Sequence, residues 1–178
     1  MAALSRFVGS VLLIGAMGVG KTTTARLLEQ QYGYRCYSLA EPVRRVAEAA
    51  FPWLASEPKS VRRIYLQRTG RLLRAFQPNP ILYHAEAALR AASAPLVIDD
   101  GRTVEEAEWA GRHGLAVVVL TCDERERRRR LIERDGTLPD PRTFQDRTER
   151  EWRKADAPRV DTTHLSPDEV AKAVLELI

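Results

Sequence analysis

The chain has little of what staples or metallates a small protein. Its 178 residues include two cysteines, Cys36 and Cys122, and three histidines, His84, His113 and His164. Each cysteine sits in an apolar, strand-like run. The pair builds neither a disulfide framework nor a zinc spacing, and the scattered histidines suggest no metal site. A reducing, cytoplasmic setting is the expectation. No stretch reaches the ~18 consecutive apolar residues that a bilayer span requires, so no membrane is expected. Arg6 and the apolar run from Phe7 to Gly20 have the outline of a secretory leader, but Lys21 and three threonines stand where a cleavage site belongs. Export is not expected either. Lysine is scarce: 24 of the 28 basic residues are arginine. No basic stripe is interleaved with aromatics and no nucleic-acid motif is present, so a nucleic-acid partner is not expected.

What is present reads as one globular unit. Hydrophobic content of 44% and charged content of 29% are ordinary for a soluble domain, and the length suits a single domain over residues 1–178. The net charge of +4 favours an anionic partner. Arginine adds chemistry to that charge, because guanidinium grips phosphate and carboxylate through paired hydrogen bonds. Nothing in the sequence fixes the oligomeric state.

Short apolar runs at 10–16, 34–39, 96–99, 116–122 and 159–162 predict strands. Between and after them, helical periodicity covers 21–31, 42–50, 59–76, 81–92, 104–113, 123–134, 143–154 and 167–177, with Ser166 as the N-cap of the last. Nearly continuous apolar strands alternating with helices predict an α/β fold whose parallel sheet is covered on both faces. Residues 135–142, DGTLPDPR, form the one loop-like patch rich in proline, glycine and aspartate.

The stretch GAMGVGKTTT at 15–24 carries the clearest chemistry. Gly15, Gly18 and Gly20 would weaken any helix or strand, yet they suit a loop whose amides turn inward around an anion. Gly15, Ala16, Met17, Gly18, Val19, Gly20, Lys21 and Thr22 satisfy G-x-x-x-x-G-K-[ST] between a predicted strand and a predicted helix, which is the context the motif requires. The loop and the helix N-terminus, with Thr23, are expected to cradle ATP. Lys21 would bridge the β- and γ-phosphates, and Thr22 would bind Mg²⁺. Lys21 is expected to face solvent in the empty loop.

Two further stretches surround that loop. In LVIDDGRTVEEAE, Asp99 and Asp100 end a strand at the edge of the sheet where ligands of open α/β sheets bind. One of them can serve Mg²⁺ or the acceptor, and Arg102 can grip an acceptor phosphate. Glu105 and Glu106 are read as partners of the next helix's first turn. In DERERRRRLIERDG, Arg127, Arg130 and Arg134 share one helical flank, expected over ATP phosphates. Arg125, Arg128 and Arg129 are read as solvated. Six arginines in ten positions would repel one another, so an anionic ligand would relieve a cost.

Taken together these segments resemble the P-loop kinases of small metabolites, and among them the deoxynucleoside monophosphate kinase-like group. VIDDGRTVEEAE is similar to the group's strand-plus-helix pattern at Asp100, Arg102 and Glu106. LAEPVRRVA is similar to its A-x-P-L-K segment, with Arg44 where lysine is usual. LQRTGRLLR is similar to its L-Q-x-x-G-x-x-x-R segment at Gln67, Gly70 and Arg74. RLIER matches its lid arginines at Arg130 and Arg134, and APRVDTTHLSPDEV resembles its C-terminal strand, whose following turn lies over adenine.

The resemblance implies a three-layer P-loop NTPase sandwich with a five-stranded parallel sheet and a short lid within about 123–142. It implies ATP-dependent phosphorylation of a small acceptor, foremost a nucleoside monophosphate. Lys21, Asp100, Arg130 and Arg134 would be catalytic, and Glu41, Arg44, Gln67, Arg74 and Arg102 would line the acceptor side. Thr22 and Asp100 would hold Mg²⁺, with Asp99 competing. Dephospho-coenzyme A kinase shares the fold. Glu41-Pro42-Val43 also resembles the E-P-V turn of deoxynucleoside kinases, where the glutamate is the base on a sugar hydroxyl. A nucleotide-binding regulatory module is the alternative from another class.

Overall fold

The computed structural model describes residues 9–178. Arg6, Phe7 and Val8, the start of the leader-like run, lie outside the described residues. Five strands form one parallel sheet: β1 (Val11–Ile14), β2 (Arg35–Ser38), β3 (Leu96–Gly101), β4 (Ala116–Thr121) and β5 (Arg159–Asp161), in the order β2-β3-β1-β4-β5. Their positions match the apolar runs to within a few residues. The central strand β1 is wholly buried, as are Val97, Ile98 and Val118 to Leu120 on its neighbours. β2 lies at the sheet edge, which leaves Cys36 exposed.

Helices cover both faces of the sheet. α1 (Lys21–Tyr32) starts directly from the glycine loop and stops at Gly33, whose φ of 75° only glycine adopts at little cost. α2 (Glu41–Ala50), α3 (Lys59–Arg74) and α4 (Pro80–Ala91) pack on one another. α5 (Val104–Arg112) begins with a capping box in which Thr103 and Glu106 satisfy each other's amides. α6 (Glu124–Asp135) is capped by Asp123. The last helix, α9 (Pro167–Leu175), has Ser166 as its N-cap, as its sequence predicts. A short 3-10 turn at Pro52–Ser56 has no counterpart in the periodicity. Among the described residues no helix is long and apolar enough to cross a membrane.

One expected helix is broken. The span 143–154 comprises α7 (Pro141–Gln145), α8 (Thr148–Glu151) and a 3-10 turn, Trp152–Lys154. Asp146 is the cause. Its backbone is extended, with ψ of 140°, and its side chain accepts from the amide and hydroxyl of Thr148. A short acidic side chain that bonds its own neighbours competes with the helix ladder and restarts it.

A second irregularity shapes the site. Leu12 pairs with Ile98, but Ile14 pairs with Gly101, so β3 carries one residue more than β1 over that interval. Such a bulge re-aims side chains. Asp100 takes a φ of 66° there. β3 therefore runs two residues past its expected end and sends two successive carboxylates to different partners.

Candidate active site

The loop from Gly15 to Thr22 follows β1 and opens on a cleft of about 470 Å³ at the C-terminal edge of the sheet. Met17, Gly18, Gly20, Lys21, Thr22 and Thr23 line it, facing Arg44, Gln67, Gly70, Arg74, Asp100, Arg102 and Arg134. Ala16 and Val19 are buried beneath. Gly15 meets the neighbouring strand so closely that a Cβ would stand 2.4 Å from the Leu120 carbonyl oxygen. No side chain fits there.

Lys21 corrects the first expectation. It is 5% exposed, not solvent-facing, and its Nζ donates to the carbonyls of Gly15 at 2.6 Å and Ala16 at 2.8 Å. Burial lowers its pKa to about 7, helped by the like charge of Arg102 and opposed by Asp100, Glu149 and Asp99.

The two aspartates divide their work. Thr22 Oγ1 donates to Asp99 Oδ2 at 2.8 Å, and Asp99 Oδ1 is buried without a partner. Burial pushes the Asp99 carboxyl up, aided by the charge of Asp100. Asp100 instead accepts from Nε and Nη2 of Arg102 at 2.9 and 2.6 Å, both through Oδ1. Burial works against its charge, but Arg102 and Lys21 outweigh burial and hold its carboxyl well below the usual range. The residue beside Thr22 is thus Asp99, the competitor of Asp100 for the place next to Mg²⁺.

On the acceptor side, Arg74 donates to Glu106 Oε1 through Nε at 3.0 Å and Nη2 at 2.7 Å. Glu106 is fully buried and so does more than cap α5. Gln67 Nε2 donates to the Thr143 carbonyl. Glu41 does not line the cleft; it is half-exposed at the start of α2 and pairs with Arg44 at 3.3 Å.

The expected arginine flank splits. Arg130 does not line the cleft; it donates to Glu126, to the Thr162 hydroxyl at 3.0 Å and to the Thr162 carbonyl at 2.6 Å. Arg127 donates to the Met17 carbonyl at 3.2 Å, and Arg134 lines the cleft while paired with Asp135. Leu131 is wholly buried, which fixes the rotation of α6, and of the three arginines only Arg134 lines the cleft. The repulsion expected along α6 is relieved by its own acids, with Arg128 on Glu124 and Arg129 on Glu126 and Glu133.

Two clusters carry no signal in the sequence. Glu149 of α8 is buried in the cleft wall, bonded to Met17 and Arg102 from 132 and 47 positions away. Asp135 gathers Lys59, Arg63 and Arg134 at the cleft mouth. Among the described residues there is no group of three or more His, Cys, Asp or Glu side chains able to hold a metal ion.

Residues 11–154 match the family model described as AAA domain. The chain belongs to the AAA domain family. Its glycine loop and five-stranded parallel sheet give it the fold of the P-loop kinases. The fold is also that of a gluconokinase from Sinorhizobium meliloti 1021, with TM-score 0.61 and 19% identity over 96% of this chain and 91% of that one. Shikimate kinase from Acinetobacter baumannii in complex with shikimate superposes with TM-score 0.61 and 18% identity, over 94% of this chain and 91% of that one. A curated shikimate kinase from Marinomonas sp. (strain MWYL1) is 40% identical over 45 residues, 25% of each chain. That alignment spans only a quarter of the curated relative's length.

Proposed function

We propose that the chain transfers the γ-phosphoryl group of ATP to a hydroxyl of a small anionic metabolite. The carrying observation is the state of Asp100. Arg102 holds it through Oδ1 alone, which leaves the other oxygen, in the cleft, without a protein hydrogen bond among the described residues. A hydroxyl acceptor must lose a proton and needs such a carboxylate, whereas a phosphate acceptor does not. The names of the neighbours, gluconokinase and shikimate kinase, support a small non-nucleotide acceptor.

Arg74 orients the acceptor pocket rather than clamps an acceptor phosphate, since it is already paired with the buried Glu106. Arg44, tied only to exposed Glu41, is the freer guanidinium for an acidic group of the acceptor. The nucleoside monophosphate reading draws on the remaining surplus of cations in the cleft, where Lys59, Arg63 and Arg134 share the single carboxylate of Asp135.

Thr22 and Asp99 fit Mg²⁺: a loop hydroxyl stands beside a buried carboxylate oxygen that has no partner. The ion would neutralise charge on the phosphate oxygens. Lys21 would exchange its carbonyl partners for phosphate, and residues 136–140 with α7 would form a short lid that excludes water. The test is ATP consumption across hydroxy acids, sugars, nucleosides, nucleoside monophosphates and dephospho-coenzyme A. Turnover with a hydroxy acid is expected. A nucleoside monophosphate as best acceptor would overturn the hydroxyl assignment.

A further inference from the structure

Glu149 is the buried acid for which phosphoryl transfer has no evident use. Its side chain is 4% exposed. Oε2 accepts from the Met17 amide at 2.9 Å and lies 3.6 Å from Nη1 of Arg127, while Oε1 accepts from Nη1 of Arg102. One amide of the phosphate loop and two guanidiniums, from β3 and α6, therefore converge on one oxyanion. Backbone amides and arginine forks are also what phosphoryl oxygens bind. Lys21 is engaged in the same way, turned onto the carbonyls of its own loop. Several groups that a nucleotide would claim are thus satisfied from within the protein.

We propose that the Met17 amide, Arg102 and Arg127 form the subsite for the phosphoryl group in transfer, and that Glu149 is its internal occupant until a nucleoside triphosphate binds. The proposal rests on the kinase reading. Arg102 is also paired with Asp100, but Arg127 pairs with Glu149, so this carboxylate adds counter-charge that the two part-buried guanidiniums share. A carboxylate and a phosphoryl group cannot share the same donors, because like charges in contact disfavour one another. Yielding the site is structurally cheap, since Glu149 rides on a four-residue helix in a segment of short elements. α7, just ahead of α8, holds Gln67 on the acceptor wall through the Thr143 carbonyl.

The sign of the effect makes the proposal testable without knowing the acceptor. Glu149→Gln removes the competing charge, so calorimetric titration should show MgATP binding about tenfold tighter, the worth of one charge-assisted contact. ADP lacks the transferred group and should bind with less than about a twofold change. Glu149→Asp keeps the charge but falls short of the Met17 amide, and should tighten MgATP to an intermediate degree. In the wild type, Trp152 donates from Nε1 to the Glu149 carbonyl at 2.7 Å. Its emission, assigned by comparison with Trp152→Phe, should change with MgATP and not with ADP, which tests the proposal even if the variants fold poorly. Weaker MgATP binding by Glu149→Gln, or equal shifts for ATP and ADP, would overturn this subsite and leave the kinase reading standing. A wild type that binds no MgATP would overturn both.

Discussion

Thr22 Oγ1 donates to Asp99 Oδ2 over 2.8 Å and so joins the end of the phosphate loop to the end of the adjacent strand. The other Asp99 oxygen is buried and unpartnered, an arrangement that destabilises the free protein unless a cation completes it. Asp99→Asn should therefore separate stability from activity. Its melting temperature should equal or exceed that of the wild type, while MgATP-dependent transfer should fall by about 10²–10³, as when one charge-stabilising group is removed. Unchanged transfer would exclude Asp99 from the metal site.

Lys21 links the phosphate loop to pH. In the folded protein burial lowers the ammonium to about 7, against an ordinary value of 10.5. Between these values the unfolded chain binds more protons than the folded one, so stability rises with pH across that window. In Lys21→Met this contribution is absent. Thermal melts at pH 7 and pH 9 should show the wild type gaining stability relative to the variant. The variant should also lose about 10²–10³ in transfer.

How far the sequence carries this picture depends on the range of the interaction. The five strands are legible because a strand buried on both faces needs only a short apolar run, as in Val11 to Ile14. The phosphate loop is legible because its chemistry is contiguous. Asp146, by contrast, breaks a periodic stretch through a side-chain bond that competes with the ladder, and helical periodicity has no means of registering that. Arg130 illustrates a second failure: spacing groups it with Arg127 and Arg134, but of the three only Arg134 lines the cleft, while Arg127 and Arg130 are held by the carbonyls of Met17 and Thr162. Glu149 is one acid among many in a charged segment. Its role exists only once residues 47 and 132 positions away have been brought to it.

Arg74 and Glu106 form the most deeply buried ion pair on the acceptor side, with side-chain exposures of 17% and 0%. Removing one partner strands the other. Arg74→Met should cost about 3–5 kcal/mol in chemical denaturation, because Glu106 is left as an uncompensated buried charge. Adding Glu106→Gln to that variant should recover part of the loss, since a neutral amide can still accept from the amides of Arg102 and Thr103. Additive losses in the double variant would mean that the two side chains are not energetically coupled.

The identity of the acceptor group rests on Asp100 against Glu41. Asp100 lies in the cleft, while Glu41 lies outside its lining, paired with Arg44. If the acceptor is a hydroxyl, Asp100→Asn removes the group that accepts its proton yet keeps an oxygen for Arg102. The loss should appear in kcat, by about 10²–10⁴, with little change in the acceptor's KM. Glu41→Gln should be nearly silent. Because Arg102 and Lys21 hold the Asp100 carboxyl well below the usual range, the wild-type rate should not fall through loss of this base as pH is lowered to about 4, where ordinary carboxylates begin to protonate. A phosphate acceptor would reverse the pattern: its proton needs no base, so Asp100→Asn would act mainly through a loosened Arg102 and raise KM instead. Steady-state kinetics of both variants on the acceptor found by the screen distinguish the two. A large Glu41 effect with a silent Asp100 would move the base to α2 and refute the assignment made from the cleft.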